Sequence, residues 1–149
     1  MPGALDLLDQ LTSDTALEAF VAAWRAGTLP RTAWTHAAHV AVCAWHAWPA
    51  TPREALLAQL RAGIVAYNTA VGIANTATSG YHETLTRFWC ERVAAHQAEA
   101  QAATRLAAVR GAVETFGDRP DLHTAYYDFD IVRDVRARAI WIAPNGVTN

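Results

Sequence analysis

Apolar residues recur along this chain at the three- and four-residue spacing of helices, and β-branched residues never gather into the alternation of a strand. Leu5, Leu8 and Leu11 predict a short first helix. In "SDTALEAFVAAW", Ser13 or Asp14 is placed to cap a second helix whose stripe is Leu17, Phe20, Val21 and Trp24, with Gly27 and Pro30 ending it. A third starts near Thr32 or Thr35 and runs through "HAAHVAVCAWHAW" until Pro49 stops it. The fourth, "TPREALLAQLRAGIVAYNTAVG", has Thr51 as expected cap, Pro52 in the first turn and Glu54 as return partner, with Leu56, Leu57, Leu60, Ile64 and Tyr67 on one face.

Residues 71–80, "VGIANTATSG", read as loop, because small and hydroxylated residues favour turns over helix. The fifth helix then starts near Ser79 or Gly80 and carries "YHETLTRFWCERVAAHQAEA"; "QAATRLAAVRGAVETFG" either continues it or makes a sixth. Beyond Pro120 the periodicity weakens, predicting a short helix around Ile131 to Ala139 and then an irregular, extended tail. The expected fold class is all-α: a compact single-domain bundle of about five to seven helices over residues 1–149.

Composition narrows the setting. The chain has 149 residues, 52% hydrophobic and 17% charged, with a net charge of −2, which is a globular balance and gives no footing for nucleic acid. All basic residues are arginine and alanine abounds, the coding bias expected of a GC-rich bacterial genome. No apolar run approaches ~18 residues and the start lacks a signal-peptide pattern, so no membrane partner and a cytoplasmic location are expected. Cys43 and Cys90 are too few for a disulfide scaffold or a cysteine-based zinc site and read as two small buried hydrophobes.

The chemistry concentrates in histidine. "WTHAAH" sets His36 and His39 at i and i+3, which brings Cβ atoms to about 5–6 Å on one side of a helix. Two imidazoles so placed can converge on one ion at about 2.0–2.1 Å. On the fifth helix His82 shares a face with Leu85 or Thr86, Trp89 and Val93, so it too points inward. A metal shared by His36, His39 and His82 would satisfy one nitrogen on each ring, and the positive end of a helix would favour the neutral imidazole that binds metal. The competing reading is core histidines, each hydrogen-bonded to a carbonyl or a carboxylate. His46, deeper along the stripe, reads as structural, and His96 and His123 stand outside the set.

Glu83 lies about 100° around the helix from His82. It can serve as a carboxylate partner of His36 or His39, as a general base, or merely as an i,i+4 ion-pair partner of Arg87. Tyr67, Asn75 and Tyr81 flank the loop over the helix ends and are pocket candidates with Arg87; Trp34, directly before the histidine pair, and Trp89, on the His82 face, are candidate walls. There is no P-loop, no GxGxxG after a strand and no GxSxG.

The blocks "AWTHAAHVAV", "AYNTAVGIANTATSGYHETLTRFW" and "ARAIWIAPN" resemble a family of small all-helical bacterial proteins to which no activity is attached. The likeness spans most of the chain and is strongest around His36, His39, His82 and Glu83. It implies a shared site there and names no reaction. The last block is looser, with Asn145 where an acidic residue is expected.

Three functions follow as expectations. One is a mononuclear metalloenzyme acting on a small molecule, with one divalent transition metal on the three histidines: hydrolysis, hydration or elimination if zinc, O₂ chemistry if iron or copper. The helix ends would suit an anionic group on that substrate. The second is a metal-free small-ligand or acid/base site using His82 or His39 with Glu83. The third is a non-catalytic interaction module with exposed aromatics as its surface.

Overall fold

The structure, a computed structural model, describes residues 3–146; the last residues of the expected tail, 147–149, lie outside them. It is all-helical, with α1 (Ala4–Gln10), α2 (Asp14–Ala26), α3 (His36–Ala47), α4 (Arg53–Ala70), α5 (Glu83–Ala100), α6 (Arg105–Phe116) and α7 (Val135–Ala139). Two single 3₁₀ turns, Arg31–Ala33 and Leu122–Ala125, join the longer helices. Among the described residues no helix is long and apolar enough to cross a membrane.

The organising element is α3. Nine of its twelve residues are buried, most of them alanine or valine, so it is apolar around its whole circumference. A helix of that kind must lie inside. It packs against α6, α5, α4 and α1, and its alanines let those neighbours approach closely. The main core adds Leu11, Leu17, Val21 and Trp24 from the first quarter, Leu56, Leu60 and Tyr67 from α4, Val93 from α5 and Val109 and Val113 from α6. A smaller cluster, Phe88, Tyr127, Ile131 and Ala137, binds the C-terminal segment to α5.

Helix starts follow local chemistry. Ser13, Thr35, Thr104 and Asp134 each accept an amide N–H from three residues further on. Several boundaries differ from the sequence reading. The cap expected from Thr51 is absent: α4 begins after Pro52 without a side-chain cap, and the Thr51 hydroxyl donates to the His46 carbonyl instead. Leu5 is exposed; Ala4, Leu7 and Leu8 form the inner face of α1, with Leu11 buried just beyond its end. The fifth and sixth helices are separate, divided at Gln101, whose φ is 48°. Most consequential is α5, which starts at Glu83 rather than near Ser79, because His82 is its N-cap.

The tail is tied down by specific bonds. Thr84 Oγ1 donates to the Ile140 carbonyl at 2.8 Å and accepts the Ile142 amide at 3.1 Å. Asn145 accepts the Asp128 amide through Oδ1 at 3.0 Å and donates to the Asp128 carboxylate through Nδ2 at 2.9 Å. An acidic residue at 145 would oppose that carboxylate, so asparagine suits this chain's own loop.

Candidate functional site

A cavity of about 460 Å³ opens between the N-terminal ends of α3 and α5, α4 and the Leu122–Ala125 turn. Eighteen residues line it and none is Asp, Glu, Lys or Arg. Its walls are mostly apolar, from Leu60, Ile64, Ile73, Leu85, Val132 and the rings of Trp34 and Trp89. Set into them are His36, His39, His82 and His123.

Each imidazole has its tautomer fixed by a carbonyl, which can only accept. His39 donates from Nδ1 to the Thr35 carbonyl at 2.8 Å, the same residue whose hydroxyl caps α3. Its Nε2 is therefore a bare lone pair, with no partner among the described residues. Trp34 stacks on this ring at 3.7 Å between centroids, inclined by 30°. Burial pushes the His39 pKa down to about 4, although its bond to Thr35 works the other way. The ring is neutral at any ordinary pH.

His36 donates from Nε2 to the Phe116 carbonyl at the end of α6 at 3.0 Å, leaving Nδ1 as acceptor. Trp89 is tilted against it at 4.7 Å. Its pKa too is lowered, chiefly by burial. His123 donates from Nδ1 to the Pro120 carbonyl at 3.2 Å and lines the same cavity.

His82 differs. Its Nε2 donates to the Ile131 carbonyl at 2.7 Å, and its Nδ1 accepts the Leu85 amide at 3.1 Å as the side-chain cap of α5. Both nitrogens are spent on the fold, and the residue is buried. Burial, together with the nearby charge of Arg138, lowers its pKa. Although His36, His39 and His82 line one cavity, His82 has no lone pair left to share an ion with the other two. Among the described residues no group of three or more His, Cys, Asp or Glu is placed to hold a metal ion.

Glu83 stands apart from this cavity. Its carboxylate takes a bidentate pair from Arg61, at 3.0 and 2.6 Å, and the Tyr81 hydroxyl at 2.6 Å. The Arg61 guanidinium holds the Glu83 pKa below the usual carboxylate range. The partner is thus Arg61 across the helix pair, neither a histidine nor Arg87; the latter covers the Trp141 ring at 4.6 Å. Arg87 and Asn75 do not reach the cavity either. Asn75 instead braces the loop, accepting from the Asn68 amide group and the Tyr81 backbone N–H, both at 3.0 Å. Gly80 sits at φ 77° against this brace, where a Cβ would fall 2.4 Å from the Ala74 carbonyl oxygen.

Tyr67 lies behind the wall, buried, with its hydroxyl donating to the Leu29 carbonyl at 2.7 Å and its ring 5.1 Å from Trp34. Of the aromatic candidates, Trp34, Tyr81 and Trp89 do line the cavity. The two tryptophans are half-buried and packed on the core, which argues against a flat partner surface there.

The cavity is also lined by Asn68, by His123, which the sequence places outside the site, and by Cys43 and Cys90, the two small buried residues. His39 and Cys43 are one turn apart on α3, a signal present in the spacing; nothing local ties His123 to a site forty residues earlier. Cys43 and Cys90 are free and buried. The neighbouring Cys90 thiol, and then burial, push Cys43 well above the usual thiol range. Cys43 is therefore not a ready thiolate. Compared with known proteins, the chain matches no family model, no curated protein and no solved structure.

Proposed function

We propose that this chain binds a small, mostly apolar, uncharged molecule in the cavity between α3 and α5, and that His39 Nε2 accepts a hydrogen bond from that molecule's O–H or N–H. The observation carrying this reading is the lining: apolar walls, no formal charge, and lone pairs on neutral imidazoles. A charged ligand would forfeit its hydration and meet no counter-ion, whereas an uncharged donor keeps its hydrogen bond and buries its apolar body. A base with a pKa of about 4 is poorly matched to proton abstraction near pH 7. Binding is therefore favoured over acid/base catalysis.

Calorimetry with phenol, an uncharged ring with one O–H donor, and benzoate, its anionic counterpart, tests the assignment. Phenol binds more tightly, and His39→Leu weakens it by about tenfold, the worth of one such hydrogen bond. Tighter binding of benzoate, or an unchanged phenol affinity in His39→Leu, would refute it.

A second reading keeps the mononuclear metalloenzyme, with His36, His39 and His82 as ligands to zinc, iron or copper. It draws on the fact that all three line one cavity. It also requires the His82 ring to surrender its bond to the Leu85 amide or the Ile131 carbonyl. Stoichiometric metal uptake by untagged protein, lost in both His36→Ala and His39→Ala, would favour it over the first.

A further inference from the structure

On the opposite side of Trp24 from this cavity lies a groove of about 550 Å³, lined by Arg25, Trp45, His46, Trp48 and Arg105 among others. Arg25 is in the last turn of α2 and Arg105 opens α6, so two elements distant in sequence bring two guanidiniums to one place. Their carbons lie 4.5 and 4.3 Å from the centroid of the same Trp45 ring, and Arg105 also covers Trp48 at 5.3 Å. Stacking on indole fixes a guanidinium while leaving its in-plane N–H groups free to donate.

Few of those N–H groups are used. Arg25 donates once, from Nη2 to His46 Nε2 at 3.2 Å; His46 is a neutral acceptor there because its Nδ1 donates to the Val42 carbonyl at 2.7 Å. Arg105 donates to the Trp45 and Trp48 carbonyls at 3.2 and 3.4 Å. Of the five donors on each guanidinium, most stay uncommitted. Among the described residues neither arginine has a carboxylate partner, whereas Arg53, Arg61 and Arg133 each have one. The nearby carboxylate, Glu18, takes the Trp45 indole N–H at 3.0 Å on the rim.

Trp24, 1% exposed, forms the inner wall of the groove. Two like charges held on one ring repel each other without an anion, and an anion between them turns that repulsion into attraction.

We propose that this groove is a second binding site, for an oxyanion, carboxylate or phosphate, of a small molecule that accepts from both Arg25 and Arg105. Bidentate donation from guanidinium suits either oxyanion. A polyanion such as nucleic acid is disfavoured by the chain's net charge of −2. The site is separate from the histidine cavity, and its ligand chemistry is the reverse of the one proposed there.

The six tryptophans allow the ligand to be placed. In ¹H–¹⁵N spectra at constant ionic strength, inorganic phosphate and acetate are titrated in turn. The expected result is a saturable shift of the Trp24, Trp45 and Trp48 indole signals with one shared affinity, while Trp89 and Trp141 stay still; the tighter anion names the chemistry. Arg25→Gln and Arg105→Gln each weaken that affinity by about tenfold. If Arg105→Gln fails to fold, Arg25→Gln still decides, since its exposed side chain holds no backbone. No saturable shift with either anion, a uniform drift of all six signals, or an affinity unchanged by Arg25→Gln would overturn the proposal.

Discussion

His82 shows how one side chain can look like a ligand and serve as a cap. Asn, Asp, Ser and Thr usually take the N-cap position, and here an imidazole does so with Nδ1 while Nε2 reaches the Ile131 carbonyl. Replacing it with alanine removes both bonds, leaving the Leu85 amide uncapped. His82→Ala is expected to lose about 2–3 kcal/mol in urea unfolding, whereas His82→Asn, which keeps the cap, loses about half as much. Equal losses in the two variants would show that the cap contributes nothing. The inward direction of His82 was legible from its face on the helix; its two bonds were not, because the Ile131 carbonyl is supplied from 49 residues away.

The same residue scale sets the pH response. Folding lowers the pKa of His39 from 6.5 to about 4, with His36, His46 and His82 lowered in the same direction, each chiefly by burial. Between about pH 4 and 6.5 the unfolded chain therefore binds more protons than the folded one. Stability is full above that window and falls as pH drops through it, by at most about 3 kcal/mol from His39 alone. Urea midpoints at pH 7.5 and 4.5 check this: the midpoint drops at low pH, and His39→Gln shrinks the drop. A midpoint that rises on acidification would contradict the assignment.

At the scale of elements, α3 carries the cavity because it is buried all round and begins at the cavity mouth. That burial was only partly legible: the stripe through His36, His39, Cys43 and His46 marks one side, while alanines on the other side are silent in an apolar pattern. The approach of α4 to α2 rests on Gly63. An added Cβ there would sit 2.2 Å from Cη2 of Trp24. On propensity alone Gly63→Ala in mid-helix stabilises by about 1 kcal/mol. Here the clash wins, and the substitution is expected to cost about 1–3 kcal/mol by overpacking. Thermal unfolding gives the sign directly; a gain would mean that Trp24 moves freely.

The all-helical class and most helix positions followed from period and caps, because those signals are local. Ends set by distant partners did not: α4 lacks the Thr51 cap since that hydroxyl bonds the preceding helix, and α5 starts late since His82 takes the cap. Glu83 illustrates the same limit. Its sequence neighbours suggested Arg87, but Arg61 on α4 meets it in bidentate geometry.

For the whole molecule, the two recesses lie on either side of a run of stacked rings. His39 stacks on Trp34 at 3.7 Å, Trp34 on Trp24 at 5.6 Å, and Trp24 meets His46 edge-on at 5.8 Å. One recess has neutral acceptors and apolar walls, the other two cations on an indole. That division follows from which helix ends face each recess: histidines at the start of α3 and α5, arginines at the end of α2 and the start of α6.

The claim that the histidine cavity takes an uncharged donor rather than an ion is tested most directly by long-range ¹H–¹⁵N spectra of the imidazoles at pH 7, first with phenol and then with zinc. The account predicts neutral rings protonated on Nδ1 in His39 and on Nε2 in His36 and His82, with phenol shifting His39 Nε2 saturably and zinc leaving His82 unchanged. Joint movement of His36, His39 and His82 on stoichiometric zinc, with His39 indifferent to phenol, would contradict it.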